Sequence, residues 1–499
     1  MILDQLRIWA TQKTDKTCIQ TRNDKITYFE LYYRILDMAT LLEPHTNQPV
    51  LLLFHSHDVI SFIVAFYACL MAGAIAVPVG TNYARIQNDC NASAIITSWG
   101  IYFKIRWRTH WSTSFVVEGG WGCVRSKTQK ELTDEERIVM LQYTSGSTCS
   151  PRGVMISHRA LCANVQWTSS ELAKSNTKMV AWVPFTHDYG LTCILNTLHV
   201  GGKMVYMSPI EFLQDPLQWL HVVTREKATH TAAPNFAYEL CVRRATVFPH
   251  KVKGIDLRSV CCNFSMGGET VQKTTLDLFT STFSVSEAQM DPSYGLAECV
   301  CGIIHFQDST NSKKLMVANG TVTVGKVGDN IEITILPDQR YSIGGEILVR
   351  GQAMMSGYYK KDPNEGFHVM DGVKWVKTGD IGFVDEEGYL YIIGRSKDTI
   401  VLNGRNVVAT DVEHVIATAF PNVRPGSIAA VPIQTGSTEQ LGVVAELRDD
   451  SLIPDIQQVR AVVYDALKVP IYRMVFVPKK TLPKTTSGKI QRYKCRSYL

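Results

Sequence analysis

Short apolar runs that alternate with helical patterns are the strongest constraint on how this chain can fold. Residues 50–54, 92–97, 179–183, 203–207 and 259–264 each read as a strand beside a helical stretch. In 215–228, Leu217, Leu220, Val223 and Lys227 recur at helical spacing. Strands that alternate with helices imply a parallel sheet covered by helices, because a parallel neighbour is reached only by a crossover. After about Val322 the texture changes to short strands punctuated by glycine: 331–336, 345–349, 374–376, 382–384 and 389–393. That pattern reads as antiparallel β structure. After Ser396 comes a compact α+β segment of about a hundred residues. The expected architecture is α/β plus β: a large N-terminal domain of parallel sheets with helices and a distorted antiparallel β subdomain, over 1–395. A small α+β C-terminal domain takes 396–499, with the boundary near Arg395 to Asp398.

Composition removes several classes. The chain has 499 residues, 45% of them hydrophobic and 19% charged, which excludes a disordered, collagenous or coiled-coil chain. A net charge of +5 on that length is too weak to imply nucleic-acid binding. None of the thirteen cysteines forms a C-x-x-C pair, so no zinc site is expected. Reduced thiols in a cytoplasmic protein are expected. Residues 1–16 alternate polar and apolar and do not read as a signal peptide. The run 59–79 has the length of a membrane span, and Ser61 is its one clearly polar residue. Gly73 and Pro78 interrupt it, and no basic flank supports a span. It reads as a buried helix 59–71, a glycine stop and a buried strand, with no integral membrane association.

Four segments carry chemistry. In Tyr143-Thr144-Ser145-Gly146-Ser147-Thr148-Cys149-Ser150-Pro151-Arg152-Gly153-Val154, hydroxyls and glycines alternate between a strand at 138–142 and a helix after His158. Backbone amides and small hydroxyls suit phosphate oxygens, although a Ser/Gly-rich surface loop has the same composition. It is not a Walker loop, and Gly488-Lys489 is followed by Ile490, so that segment is not one either. The other three are Tyr294-Gly295-Leu296-Ala297-Glu298; Lys377-Thr378-Gly379-Asp380 with Gly394-Arg395-Ser396-Lys397-Asp398; and Pro483-Lys484-Thr485-Thr486-Ser487-Gly488-Lys489-Ile490. Taken singly, Tyr294 reads equally as a core aromatic, Asp380 as a turn residue and Lys489 as a solvated lysine. Neither G-x-S-x-G nor H-E-x-x-H occurs, which argues against a hydrolase or a zinc protease.

Their order and wording together resemble the adenylate-forming superfamily of acyl-CoA synthetases, nonribosomal adenylation domains and luciferases. The resemblance covers nearly the whole chain, including 72–78, Gly345-Glu346-Ile347 and Gly357-Tyr358-Tyr359. Within it, His187-Asp188-Tyr189-Gly190-Leu191, the run 234–241 and Lys397-Asp398 with Gly404-Arg405-Asn406 look like fatty acyl-AMP ligases that load acyl carrier proteins. There are departures. Cys149 stands where the family loop usually has glycine, and Arg152 replaces the usual lysine. Only residues 299–324 separate the Tyr-Gly-Leu-Ala-Glu motif from Gly325-Lys326, which is short for the insertion of those ligases.

The resemblance implies an enzyme using ATP and Mg²⁺. A carboxylic acid, expected to be a fatty acid, becomes acyl-AMP with release of pyrophosphate. The acyl group then passes to the phosphopantetheine thiol of an acyl carrier protein. CoA is the alternative acceptor, and an amino-acid or aryl-acid adenylation enzyme is the alternative reading of the pocket. A binding protein with a decayed site is the alternative from another class. Thr144, Ser145, Gly146, Ser147, Thr148 and Gly153 would cradle phosphates. Gly267 and Gly268 would run beside the acyl-adenylate, and Tyr294, followed by Gly295, would stack on adenine. Glu298 would hold the metal. Asp380 would bind the ribose, assisted by Arg395, and Lys489 would bridge the carboxylate and the α-phosphate. The small domain would swing about Lys397. His187, Phe236 and Tyr238 are candidates for the acyl pocket, with core packing the alternative for each. Residues 478–499 hold seven basic residues and no acidic one. That reads as a solvated face or as a basic rim for an acidic carrier protein.

Overall fold

The computed structural model describes residues 2–80, 83–98, 101, 114–118 (backbone), 135–144, 152–170, 172, 176–260, 263–305, 317–318, 321–328, 331–338, 343–402, 405–435, 438–484 and 489–499. Ser145, Gly146, Ser147, Thr148 and Cys149 lie outside the described residues, as do Gly404 and 485–488.

The chain forms two compact units. Of the described residues, the first takes those up to 332 together with 349–376, and the second takes 333–348 and 377–499. The expected division at 395/396 falls inside the second unit.

Two sheets organise the first unit. One has eight strands in the order Gly302–His305, Met290–Gly295, Asn263–Met266, His230–Ala233, Lys178–Ala181, Lys203–Tyr206, Thr17–Gln20, Lys25–Thr27. From Met290–Gly295 to Thr17–Gln20 every neighbouring pair is parallel. Helices such as Asp188–His199 and Asn235–Val247 supply the crossovers. The other sheet has seven strands, in the order Gly357–Tyr358, Arg152–Ser157, Ile138–Thr144, Ile75–Val79, Pro49–Leu53, Ala94–Ser98, Ser114–Glu118.

The main core of this unit includes helix Val59–Ala72, buried at nearly every residue. A helix packed on all sides carries no polar stripe, which is why its sequence reads as a membrane span. At fourteen residues it is too short to cross one. Among the described residues, no helix is long and apolar enough to do so. Gly73 ends the helix in the left-handed region at φ +79°, its amide reaching the Cys69 and Leu70 carbonyls. The strand Ile75–Val79 follows, as expected.

Three local expectations are corrected. Residues 1–16 read as simple alternation, yet Ile2–Gln12 is a helix with Ile2, Leu6 and Ala10 buried on one face. The strand expected at 259–264 is Asn263–Met266, and Val260 belongs to a turn, its amide bonding the Leu257 carbonyl at 3.1 Å. The strands expected at 374–376 and 382–384 are one strand, Val373–Val384. Gly379 adopts φ +70°, and a register shift at Ile381/Gly382 absorbs the irregularity, so glycine here bends a strand without ending it.

In the second unit, residues 380–384 pair antiparallel with 390–395. Further on, a hairpin of Thr399–Leu402 with Arg405–Val408 precedes the three-stranded sheet Val423–Thr435, Thr438–Leu447, Ile471–Val477. Helices Ala409–Ala419 and Ile456–Leu467 bury Val412, Ile416, Val459 and Val463 in a core shared with Ile428, Val443 and Ala445.

Candidate active site

In the eight-stranded sheet, four neighbouring parallel strands end along one edge, and a candidate segment follows or closes each of them. His187 follows Lys178–Ala181, Phe236 follows His230–Ala233, and Gly267 and Gly268 follow Asn263–Met266. Tyr294 and Gly295 close Met290–Gly295. The carboxyl edge of a parallel sheet is where ligands bind in open α/β folds, since loops and helix N-termini gather there.

The backbone at this edge is tightly constrained. A Cβ on Gly295 would lie 2.0 Å from the Cys301 carbonyl oxygen, and one on Gly267 would lie 2.8 Å from Ser293 Oγ. Gly268 has φ +82° with open space around it. A chain of polar groups underlies these glycines. Tyr189 Oη and Ser265 Oγ are 2.9 Å apart, Ser265 Oγ lies 3.4 Å from Ser293 Oγ, and Ser293 Oγ donates to the Met266 carbonyl at 3.2 Å. Burial raises the Tyr189 phenol far above its usual range, so it stays a neutral donor.

His187 caps helix Asp188–His199, its ring accepting from the Tyr189 amide at 3.4 Å and contacting Asp188. Tyr238 is fully buried. It donates to the Ser265 carbonyl at 2.9 Å, and its ring meets Trp219, Phe264 and Phe279 edge-on. Phe236 is half-buried against Trp182, and its amide donates to Glu269 Oε1 at 2.6 Å.

Thr144 and Arg152 stand opposite each other at the described ends of a hairpin, and residues 145–151 join them. Gly153 packs beneath Tyr143, where a Cβ would sit 2.9 Å from the ring. The strand Gly357–Tyr358 pairs with Met155 and Val154 next to that loop. From there Tyr358 Oη donates to Glu298 Oε1 at 2.8 Å, and the Met355 amide reaches the Glu298 carbonyl at 2.8 Å. Burial and the Glu298 charge push the Tyr358 phenol up, which keeps it the donor. Arg152 lies over the Tyr358 ring, 5.5 Å from its centre, and pairs with Glu365 at 3.2 Å. The candidate metal carboxylate and the root of the hydroxyl–glycine loop are therefore held together by one short strand. A single oriented carboxylate fits Mg²⁺, which is commonly held by one or two carboxylates and the phosphates of a nucleotide.

In the second unit, Asp380 is 5% exposed and faces Arg395 across the hairpin, with Arg395 Nε donating to Asp380 Oδ1 at 3.0 Å. Lys397 lies in the turn Ser396–Asp398. Lys489 is exposed, one residue before Ile490, which bridges back to Lys484.

Sequence reasoning missed Tyr358, Ser265, Ser293 and Tyr189 as supports of these residues. Tyr358 sits in the quoted Gly357-Tyr358-Tyr359, but no local signal joins it to a carboxylate sixty positions away.

The AMP-binding enzyme family matches residues 6–359. A medium-chain-fatty-acid–(acyl-carrier-protein) ligase of Moorena producens, JamA, is 30% identical over 95% of this chain and 89% of its own length. The Mycobacterium tuberculosis (H37Rv) protein FadD21, named a putative fatty-acid–CoA ligase, is 29% identical over 95% of this chain and 91% of its own. A structure from a study of fatty acyl-adenylate ligases of E. coli and L. pneumophila superposes with a TM-score of 0.83 at 26% identity, covering 100% of this chain and 97% of that one. Family match, fold and motif order agree: the chain belongs to the AMP-binding enzyme family and is an adenylate-forming ligase.

Proposed function

We propose that this protein activates a fatty acid as acyl-AMP and transfers the acyl group to the phosphopantetheine thiol of an acyl carrier protein. The observation that carries the adenylation reading is Glu298, oriented by Tyr358 beside the root of the 145–151 loop. The acceptor is supported by the likeness to JamA, whose name specifies a carrier protein.

In this reading the fatty-acid carboxylate attacks the α-phosphate of ATP and pyrophosphate leaves. Charge builds on phosphate oxygens, so the protein contributes mainly position and electrostatics. Thr144 and the loop after it cradle the departing phosphates. Glu298 would hold Mg²⁺, which when bound would neutralise phosphate charge. Tyr294 stacks on adenine, and the glycines at 267 and 268 let the backbone run beside the adenylate. Asp380 accepts from the ribose hydroxyls, and Arg395 holds the Asp380 carboxylate in place. Lys489 bridges the attacking carboxylate and the α-phosphate. A rotation about Lys397 then withdraws Lys489 and admits the thiol. His187, Phe236 and Tyr238 lie on or under the sheet edge where the acyl chain is expected.

The test offers both acceptors. With a medium- or long-chain fatty acid, ATP and equal concentrations of CoA and phosphopantetheinylated carrier protein, the acylated carrier should predominate. Comparable acyl-CoA formation would contradict the acceptor assignment and leave adenylation standing.

A further inference from the structure

We propose that Arg492 is a positioning residue that ties the Lys489 segment to the turn Ser396–Asp398, so that the two move as one piece. This rests on the roles given above to Lys489 and Lys397.

Arg492 reaches two carboxylates on separate elements. Its Nη1 donates to Asp398 Oδ2 at 2.9 Å, and Nε and Nη2 donate to Glu413 Oε1 and Oε2 at 2.7 and 2.8 Å. The three side chains are largely covered, at 21%, 29% and 14% exposure for Arg492, Asp398 and Glu413. Burial works against the guanidinium charge, and Glu413 and then Asp398 more than offset it, so the net shift is upward. Exposed ion pairs contribute little, but a planar fork engaged at both edges fixes direction as well as distance. A lysine offers a point charge and cannot reproduce that geometry.

Glu413 is a rigid post. It sits on helix Ala409–Ala419 between the buried Val412 and Ile416, and its Oε1 also accepts from the Ala430 amide at 3.0 Å. The Lys489 side is equally well rooted. The Gln491 amide bonds the Pro483 carbonyl at 2.9 Å, Ile490 bridges to Lys484, and Cys495 is fully buried. Glu413 therefore anchors residues 490–495 on the fold. The bond to Asp398 adds something different, because it joins that docked segment to the residue next to Lys397. If the turn rotates, Lys489 follows through this link instead of drifting on its own loop.

The test uses Asp398→Asn and Arg492→Lys in the full chain, read by amide hydrogen exchange and by the two half-reactions measured separately. Asp398→Asn should leave the thermal midpoint near wild type, with faster exchange in peptides covering 396–400 and 489–495. Adenylation kcat should fall on the order of 10–10²-fold, the scale of misplacing a reacting group by about an ångström, with little change in KM for ATP. Transfer from pre-made acyl-adenylate should stay near wild type. Arg492→Lys, which also loses the fork on Glu413, should show the same exchange pattern and the same split between half-reactions, with a lower midpoint. Unchanged exchange at 489–495 in Asp398→Asn would overturn the coupling. So would equal loss of both half-reactions with a lowered midpoint, which marks a fold staple only. If the wild type adenylates no acid, the functional reading fails, and the exchange measurement still decides the coupling.

Discussion

Asp380 and Arg395 stand directly opposite each other in the hairpin of the second unit, the guanidinium Nε 3.0 Å from Asp380 Oδ1. The two are not equally placed. The Asp380 side chain is 7% exposed and the Arg395 side chain 61%. Removing the aspartate leaves a cation that water can solvate, so stability should change little. Ligand binding should change much more. Two ribose hydrogen bonds to a carboxylate amount to about 3–6 kcal/mol at about 1.5–3 kcal/mol each. Asp380→Ala should therefore raise the apparent KM for ATP by about a hundredfold or more, and Arg395→Ala by less. An unchanged KM in Asp380→Ala would reduce Asp380 to a structural partner of Arg395.

Tyr358→Phe deletes one hydroxyl and keeps the ring under Arg152. Glu298 then loses the donor that orients its Oε1. A hydrogen bond to a charged group contributes about 1.5–3 kcal/mol, so adenylation at limiting Mg²⁺ should fall by about tenfold or more. Saturating Mg²⁺ should restore part of the rate. Equal rates for wild type and variant across an Mg²⁺ titration would show that Tyr358 only packs.

Gly295→Ala should fail as a folded protein. Its Cβ would meet the Cys301 carbonyl at 2.0 Å, and the backbone there has no flexible side chain to move aside. Gly268→Ala meets no atom and bears only the strain of φ +82°, about 1–2 kcal/mol. Thermal melts should therefore separate the two clearly. A Gly295→Ala protein as stable as Gly268→Ala would show that the edge backbone is free to move.

Acid should destabilise the first unit through His230. This residue is 3% exposed, and burial lowers its pKa from 6.5 to about 4 despite the nearby Asp291. The folded state resists the proton that the unfolded chain accepts, so stability is intact above pH 6.5 and falls as pH drops toward 4. The full difference is about 3 kcal/mol at roughly 1.4 kcal/mol per pH unit. His230→Gln should flatten the thermal-midpoint profile between pH 6.5 and 4. An unaltered slope would place the acid sensitivity elsewhere.

Elements whose pattern is local were legible in the sequence. Helix Val59–Ala72 with its Gly73 stop was readable, because continuous apolarity and a glycine C-cap act within a few residues. Helix Ile2–Gln12 was not. Its buried face is three residues, Ile2, Leu6 and Ala10, and the polar residues between them mimic alternation. The site divides the same way. Glu298, Asp380 and Lys489 sit in distinctive short motifs. Their partners do not: Tyr358 is 60 residues from Glu298, and Arg492 is 94 from Asp398. Such pairs are set by how strands and turns meet, which no local spacing encodes.

Acyl-adenylate formation by this chain requires Lys489 in the reacting position. Fatty-acid-dependent ATP–pyrophosphate exchange tests it most directly, measured for wild type, Lys489→Ala, Lys479→Ala and Lys480→Ala. All three lysines are exposed, so general charge effects are matched. Robust exchange is expected in wild type, near wild-type exchange in the Lys479 and Lys480 variants, and a loss of about 10²–10³-fold in Lys489→Ala. No exchange by folded wild type with any carboxylic acid, or a Lys489→Ala rate equal to the two controls, would contradict it.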